Sequence, residues 1–344
     1  MKFGPVPIAE AEGAILAHSL QTGDGRLRKG TVLTKTHLAA LAEFGHDPVI
    51  AARLAPDDLD ENAAADALAR ALVPTPGQGI RLTPASTGRV NLVAEGAGVV
   101  TFDAAAIHAL NRADPAITLA TLPDATRVSA GTLLATIKII AFAVPRDRIE
   151  AACAALPNGA VTLHPPALST ARLIETTVDG TRPATKGRAA LAARLERLGV
   201  SLAERVVVPH EARPIAEALG AADEELLFVL TGSATSDIAD VAPSGVIAAG
   251  GEVIHFGMPV DPGNLLFIGR IGPRPVIGLP GCARSLALNG ADWVIERVVC
   301  GLPTGPDEIA AMGLGGLLKE MPSRPAPRRR TPAKSRAGDE PRPR

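Results

Sequence analysis

A chain of 344 residues exceeds what one hydrophobic core normally holds, so at least two structured units are expected. Apolar residues at 47% and charged residues at 21% exclude a chain dominated by disorder, while 2% aromatics and no Tyr leave little from which to build base-stacking or sugar-stacking platforms. The net charge of −1 conceals a basic, Pro-rich stretch at 319–344, with nine Lys or Arg against three Asp or Glu, which reads as a solvated disordered tail and not as a nucleic-acid arm.

Residues 1–13 include Glu10 and Glu12 where a secretory signal needs an apolar run, so no targeting peptide is expected. After Thr34-Lys35-Thr36, Leu38, Leu41 and Ala42 fall at helical spacing; Asp47-Pro48 turns into a short strand at Val49-Ile50, and residues 59–72 form an Ala-rich second helix. From 77 to 145 the grammar shifts to short β-rich runs at 90–93, 98–102 and 133–144, punctuated by Gly and Pro. The longest apolar stretch, 132–144, is too short to span a bilayer and carries Lys138, so a soluble, cytoplasmic protein with no membrane partner is expected. Thr87-Gly88-Arg89 and Ile137-Lys138-Ile139 read as structural, with Lys138 able to reach a ligand. A helix at 147–156 leads to Pro157-Asn158-Gly159, a turn signal that marks the expected boundary of a mixed α+β region, 1–157, of unassigned role.

Beyond it strands and helices alternate. Strands are expected at 168–177, 206–208, 225–230, 253–256, 265–271 and 276–279. Helices are expected at 186–198, with Leu191, Leu195 and Leu198 on one face before the capping Gly199, and at 212–219, 238–249 and 293–299. Such alternation means an α/β domain, 158–303, with a mostly parallel sheet sandwiched by helices, followed by a C-terminal segment at 304–344. Cys153, Cys282 and Cys300 form no C-x-x-C pair, and their odd number argues against a disulfide framework and fits a reducing compartment.

In an open α/β sheet, anions settle at the carboxyl ends of strands, near main-chain N–H groups and helix N-termini. Two segments meet that description. The apolar run 226–230 empties into Thr231-Gly232-Ser233-Ala234-Thr235-Ser236-Asp237, where hydroxyls and amides can hold a phosphate. Asp237 and Asp240, three apart, are neighbours if the helix has begun, and can receive a divalent ion or a polar ring edge, although Asp237 equally suits an ordinary first-turn carboxylate. The second segment is Val276-Ile277-Gly278-Leu279-Pro280-Gly281-Cys282-Ala283-Arg284-Ser285, again a strand, a Gly turn and an expected helix start. There Gly281 permits close backbone approach, Arg284 can pair with phosphate, Ser285 offers a hydroxyl, and Cys282 lies in a helix N-terminal field that lowers a thiol pKa, though a packed thiol suits the position better than a nucleophile. Between them Asp261-Pro262-Gly263 reads as a hairpin turn.

Four motifs recur in fixed order: Thr231-Gly232-Ser233 with Asp237, Gly250-Gly251-Glu252-Val253, Asp261-Pro262-Gly263, and Leu279-Pro280-Gly281 with Ser285. Over 226–293 they resemble the molybdopterin-binding domain of the MoaB/Mog type, shared by molybdopterin adenylyltransferase and molybdopterin molybdotransferase, and the weaker strand–helix pattern extends the likeness back to about residue 160. The chain departs from the family at Ser233 for a second Gly, Asp261 for Lys before Pro-Gly, Cys282-Ala283 for Asn-Pro, and His210-Glu211 for an Asp after the second strand; near the family's Asp-x-Asn stand Thr185, Lys186 and Gly187. The strings 255–264, 280–285 and 289–293 are more similar to a variant found joined to molybdenum-cofactor nucleotidyltransferases.

The resemblance implies a pterin phosphate ligand, molybdopterin or the molybdenum cofactor, held by Thr231, Gly232, Ser233, Asp240, Pro262, Gly263, Pro280, Gly281, Cys282, Arg284 and Ser285. It also implies Asp237 as the catalytic carboxylate and metal ligand, with Mg2+ as a metal cofactor and molybdate as the oxyanion to be inserted. Two functions follow: a transferase that inserts molybdate into adenylated molybdopterin, or a non-catalytic scaffold that delivers cofactor to a nucleotidyltransferase or molybdenum hydroxylase partner. A homo-oligomer is compatible with either. The absence of G-x-x-x-x-G-K-[ST] and G-x-G-x-x-G removes the commonest nucleotide-binding α/β alternatives.

Overall fold

The computed structural model describes residues 1–75 and 77–318; the basic tail at 319–344 lies outside the described residues. Two compact units divide the described chain, the first built on residues 1–168, 197–199 and 299–302 and the second on 169–196, 200–298 and 303–318.

The first unit is mixed α+β. Near its start, Lys2–Val6 (β1) and Ile15–Leu16 (β2) flank Val49–Arg53 (β3) in an antiparallel sheet, and helix α1, Lys35–Glu43, is opened by Thr34, whose side chain accepts from the His37 amide. Helix α2, Glu61–Leu72, begins two residues later than its apolar pattern suggests, because the Asp60 carboxylate captures the amides of Asn62 and Ala63 and acts as N-cap. Leu68 and Leu72 of α2 pack on the inward faces of Ile80–Leu82 (β4), Arg89–Ala94 (β5), Ile117–Thr121 (β7) and Leu133–Ile139 (β9), which form one antiparallel sheet in the order β7-β9-β5-β4. A helix absent from the sequence reading, α3 at Ala104–Ala113, joins Gly98–Phe102 (β6) to β7; its signal was the capping Asp103 followed by Ile107 and Leu110 at helical spacing. After α4, Arg146–Ala154, the chain passes the Pro157-Asn158-Gly159 turn and stays in this unit, since Val161–His164 (β10) pairs with β6 beside Thr126–Val128 (β8). Pairing therefore keeps residues 161–164, past the turn at 157–159, in the first unit.

The second unit is α/β. Its seven-stranded sheet comprises Thr170–Thr177 (β11), Ser201–Leu202 (β12), Val206–Pro209 (β13), Leu226–Leu230 (β14), Glu252–Phe256 (β15), Phe267–Ile271 (β16) and Arg274–Gly278 (β17). The order is β12-β11-β14-β17-β16-β15, with β13 also paired to β11. All ladders among β11, β12, β13, β14 and β17 are parallel, whereas β15 and β16 add an antiparallel margin. Parallel neighbours demand helical crossovers, supplied by α5 (Lys186–Glu196), α6 (Ala212–Gly220) and α7 (Val241–Ala248). Ile174, Leu227, Val229 and Val276 pack against Ile215, Leu219 and Val246 of α6 and α7. The alternate residues Leu173, Phe228 and Ile277 are equally buried, which by the two-residue repeat of a strand places them on the opposite face. Central strands covered on both sides explain why 226–230 is apolar at every position. Helices α8, Gly290–Val299, and α9, Pro306–Ala311, follow. Among the described residues no helix is long and apolar enough to cross a membrane.

Candidate functional site

The carboxyl ends of β11, β13, β14 and β17 lie side by side, and the loops that leave them are held together by specific bonds. Strand β14 delivers Thr231, whose hydroxyl donates to the Ser233 carbonyl at 2.5 Å and closes a tight turn. The Gly232 amide donates to Thr176 Oγ1 at the end of β11, 2.8 Å away. A Cβ at position 232 would stand 2.8 Å from the Thr176 carbonyl oxygen, so the approach requires glycine. Beyond this anchor Ser233 and Ala234 are exposed, and the amides of Ser233, Ala234 and Thr235 donate to no acceptor among the described residues. Three successive N–H groups on an exposed turn are an anion-binding arrangement.

The second loop leaves β17. Its Leu279 amide donates to the Val229 carbonyl at 2.8 Å, keeping the chain beside β14 until Pro280. Residues Gly281–Arg284 then form one 3-10 turn that brings the Arg284 guanidinium onto the Thr231 carbonyl at 2.8 Å. The first turn of α5 packs on the same arginine, since a Cβ at Gly187 would fall 2.7 Å from Leu230 Cδ2 and 3.3 Å from Arg284 Cγ. Arg284 therefore ties the two sequence-predicted loops into one cluster and keeps other N–H groups for a ligand.

The expected helix starts differ. Asp237 and Asp240 do not share a helical face, because α7 begins only at Val241. Asp237 Oδ1 accepts from the Ala239 amide at 2.7 Å, and Asp240 accepts from the amides of Ser236 and Val241 at 2.8 and 2.7 Å. Each carboxylate satisfies local amides that a continuing helix would have used, which delays the helix and makes Asp240 its N-cap. The Ser236 amide, and after it that of Val241, hold the Asp240 carboxyl below the usual carboxylate range against the opposing effect of burial.

Nor does a helix follow Pro280-Gly281 directly: Ser285 is extended, and α8 starts at Gly290. Buried Arg194 of α5 accounts for this. Its guanidinium donates to the carbonyls of Ala283 at 2.9 Å, Ser285 at 2.8 Å and Ala287 at 3.3 Å, drawing them sideways, and pairs with Asp292 at 2.8 Å. Cys282 is thus an exposed member of a single 3-10 turn and not of a longer helix's first turn. Ser285 is exposed, with its hydroxyl accepting from the Ala287 amide at 3.2 Å. Pro262 and Gly263 connect antiparallel β15 to β16 as a turn, but they are buried against the start of α8, where the Pro262 carbonyl accepts from the Gly290 amide at 2.8 Å.

Three residues of the cluster escaped the sequence reading: Thr176, Arg194 and Asp292. Arg194 had a signal, since it lies on the same helical face as Leu191, Leu195 and Leu198, where a charge implies a buried partner. Among the described residues no three His, Cys, Asp or Glu side chains converge as a metal site. In the first unit the two motifs read as structural meet, because Lys138 Nζ donates to the Thr87 carbonyl and faces Glu61 at 3.8 Å beside a 370 Å³ cavity also lined by Lys29 and Phe142.

Comparison with known proteins separates the units. Residues 5–53 match a family described as a domain of unknown function, and residues 174–311 match the family described as "Probable molybdopterin binding domain". No curated protein matches the chain. Among solved structures, a molybdopterin biosynthesis moea protein from Pyrococcus horikosii overlaps 87% of this chain and 75% of its own at 16% identity and a TM-score of 0.29. A molybdenum cofactor biosynthesis protein B overlaps 40% and 96% at 16% identity and 0.29, and a molybdopterin biosynthesis Mog protein from Mycobacterium ulcerans 42% and 100% at 22% identity and 0.28. Overlaps this low leave the ligand class to the family match alone. The segment that matches, 174–311, takes in nearly all of the sheet, both loops and the helices that brace them, and the similarity to a molybdopterin-binding domain holds for this segment of the chain.

Proposed function

We propose that the second unit holds molybdopterin by its phosphate on the amides of Ser233, Ala234 and Thr235, the Arg284 guanidinium and the Ser285 hydroxyl, and that it acts in molybdenum cofactor biosynthesis. The observation that carries this reading is the Arg284–Thr231 bond at 2.8 Å, which joins a run of open amides to a cation at the carboxyl end of two parallel strands. An exposed turn with donors and a guanidinium beside it suits a dianionic phosphate; when bound, the pterin supplies the dithiolene sulfurs that receive molybdenum. Thr231, Gly232 and Asp240 shape the loop through their own bonds, and Pro280, Gly281 and Cys282 carry Arg284. Pro262 and Gly263 set the start of α8. Asp237 is the one exposed carboxylate on the loop and takes the catalytic role in a transferase that inserts molybdate. It brings no second carboxylate with it, so these residues alone do not assemble a Mg2+ site, and no metal-dependent step is derived from them.

The test is titration of the purified full chain with molybdopterin. Ser233→Asp and Ser285→Asp each put a negative charge beside the phosphate and are expected to weaken binding at least tenfold; unchanged affinity in both would overturn the site.

A second reading is favoured by the capping role of the carboxylates. Asp237 and Asp240 are engaged with local amides, which suits a scaffold that binds cofactor and passes it to a nucleotidyltransferase or hydroxylase. Incubation with adenylated molybdopterin and molybdate separates the two, since the transferase releases AMP, is silenced by Asp237→Ala and the scaffold releases none.

A further inference from the structure

His210 is the first residue after β13, and its amide donates to the Thr177 carbonyl at 2.9 Å, fixing it beside the end of β11. Its Nδ1 lies 2.8 Å from Thr176 Oγ1, the same oxygen that accepts the Gly232 amide. Thr176 is fully buried, and no other acceptor for its hydroxyl proton exists among the described residues. That proton must therefore go to His210 Nδ1, which places the imidazole hydrogen on Nε2 in the neutral ring. Nε2 is on the far side of the ring from Thr176, the residue is half-buried, and Nε2 bonds nothing among the described residues. The Thr176 hydroxyl thus links the His210 ring on one side to the Gly232 amide at the base of the anion loop on the other.

Resting on the molybdopterin reading above, we propose that His210 is a ligand-binding residue of this site and donates from Nε2 to a tetrahedral oxyanion. The chemistry is shared by a phosphomonoester and by molybdate, and both are tested. A donor whose tautomer is set by a buried hydroxyl is oriented before the ligand arrives, so its hydrogen bond costs little reorganisation.

The experiment uses the full chain, with inorganic phosphate in one arm and molybdate in the other, followed by calorimetry and by imidazole 15N resonances. His210 is assigned by the signals missing in His210→Asn. That substitution keeps an acceptor for the Thr176 proton but withdraws the distal donor, and is expected to lower affinity about tenfold, the loss of one hydrogen bond to a charged acceptor. His210→Gln carries an N–H near the place of Nε2 and is expected to stay within about threefold of the parent. The Nε2 resonance should move on addition of the anion, phosphate alone marking the phosphomonoester as ligand and molybdate alone the metal oxyanion. Parent-like affinity in His210→Asn, or an Nε2 resonance unmoved by both anions, overturns the assignment. If Arg284→Met abolishes phosphate binding while His210→Asn does not, the molybdopterin reading stands and this inference fails; if the parent takes up neither anion, both fail.

Discussion

Thr176 shows how much of the site depends on a residue that never faces it. Its single hydroxyl oxygen receives the Gly232 amide and meets His210, and the side chain is wholly buried. Thr176→Val keeps the shape and leaves the Gly232 donor without its acceptor, so a loss of about 1–3 kcal/mol in urea denaturation is expected. Asp240 gives a pH-dependent prediction. Its folded carboxyl titrates below the unfolded one because the amides of Ser236 and Val241 hold the charged form. The stabilisation is therefore fully present above the unfolded pKa of about 4 and is lost as pH falls through the lower folded value. Asp240→Ala should cost about 0.5–2 kcal/mol near neutrality, with the gap to the parent closing in acid, as followed by denaturation at a series of pH values. Thr231, Gly232, Arg284 and Ser285 were legible as candidates because hydroxyls, Gly and Arg next to an apolar strand carry a chemical meaning on their own. Thr176 was not legible, since one Thr inside a strand looks like any other.

At the level of elements, the expected strands and helices of the second unit are present and differ mainly at their ends, while the short strand 201–202 and the helix 306–311 were not expected. Helix α7 starts late because two aspartates compete for its first amides, and no helix forms at 285 because Arg194 holds the carbonyls of Ala283, Ser285 and Ala287. Local propensity sees the first cause and not the second, which comes from an arginine 91 residues away in sequence from Ser285. Arg194→Met strands Asp292 in a buried site and is expected to destabilise by about 3–5 kcal/mol. Adding Asp292→Leu should restore part of that stability while leaving phosphate binding impaired, because the loop carbonyls lose their donor in both variants. Denaturation and calorimetry on the single and double variants decide this; full recovery of binding would show that the arginine braces only the core.

For the whole molecule, each unit packs on hydrophobic clusters of its own, and the proposed site draws on the second unit alone. Ile137→Ala in the core of the first unit should cost about 2–5 kcal/mol in denaturation and leave the phosphate Kd of the folded protein unchanged. A shift in Kd would show that the first unit shares in binding. The sequence by itself determined the α/β character of the second unit and the place of both loops. Apolar runs of about five residues bounded by Gly, Pro and polar turns read as strands buried on two faces, and Gly beside hydroxyls after such a run marks the strand's end. Tertiary structure alone decided that residues 161–164 stay in the first unit, that Arg284 closes one loop onto the other, and that Thr176 and His210 stand behind Gly232. Those relations join residues tens of positions apart through single hydrogen bonds. Periodicity and spacing report on neighbours along the chain, and such bonds leave no trace in them.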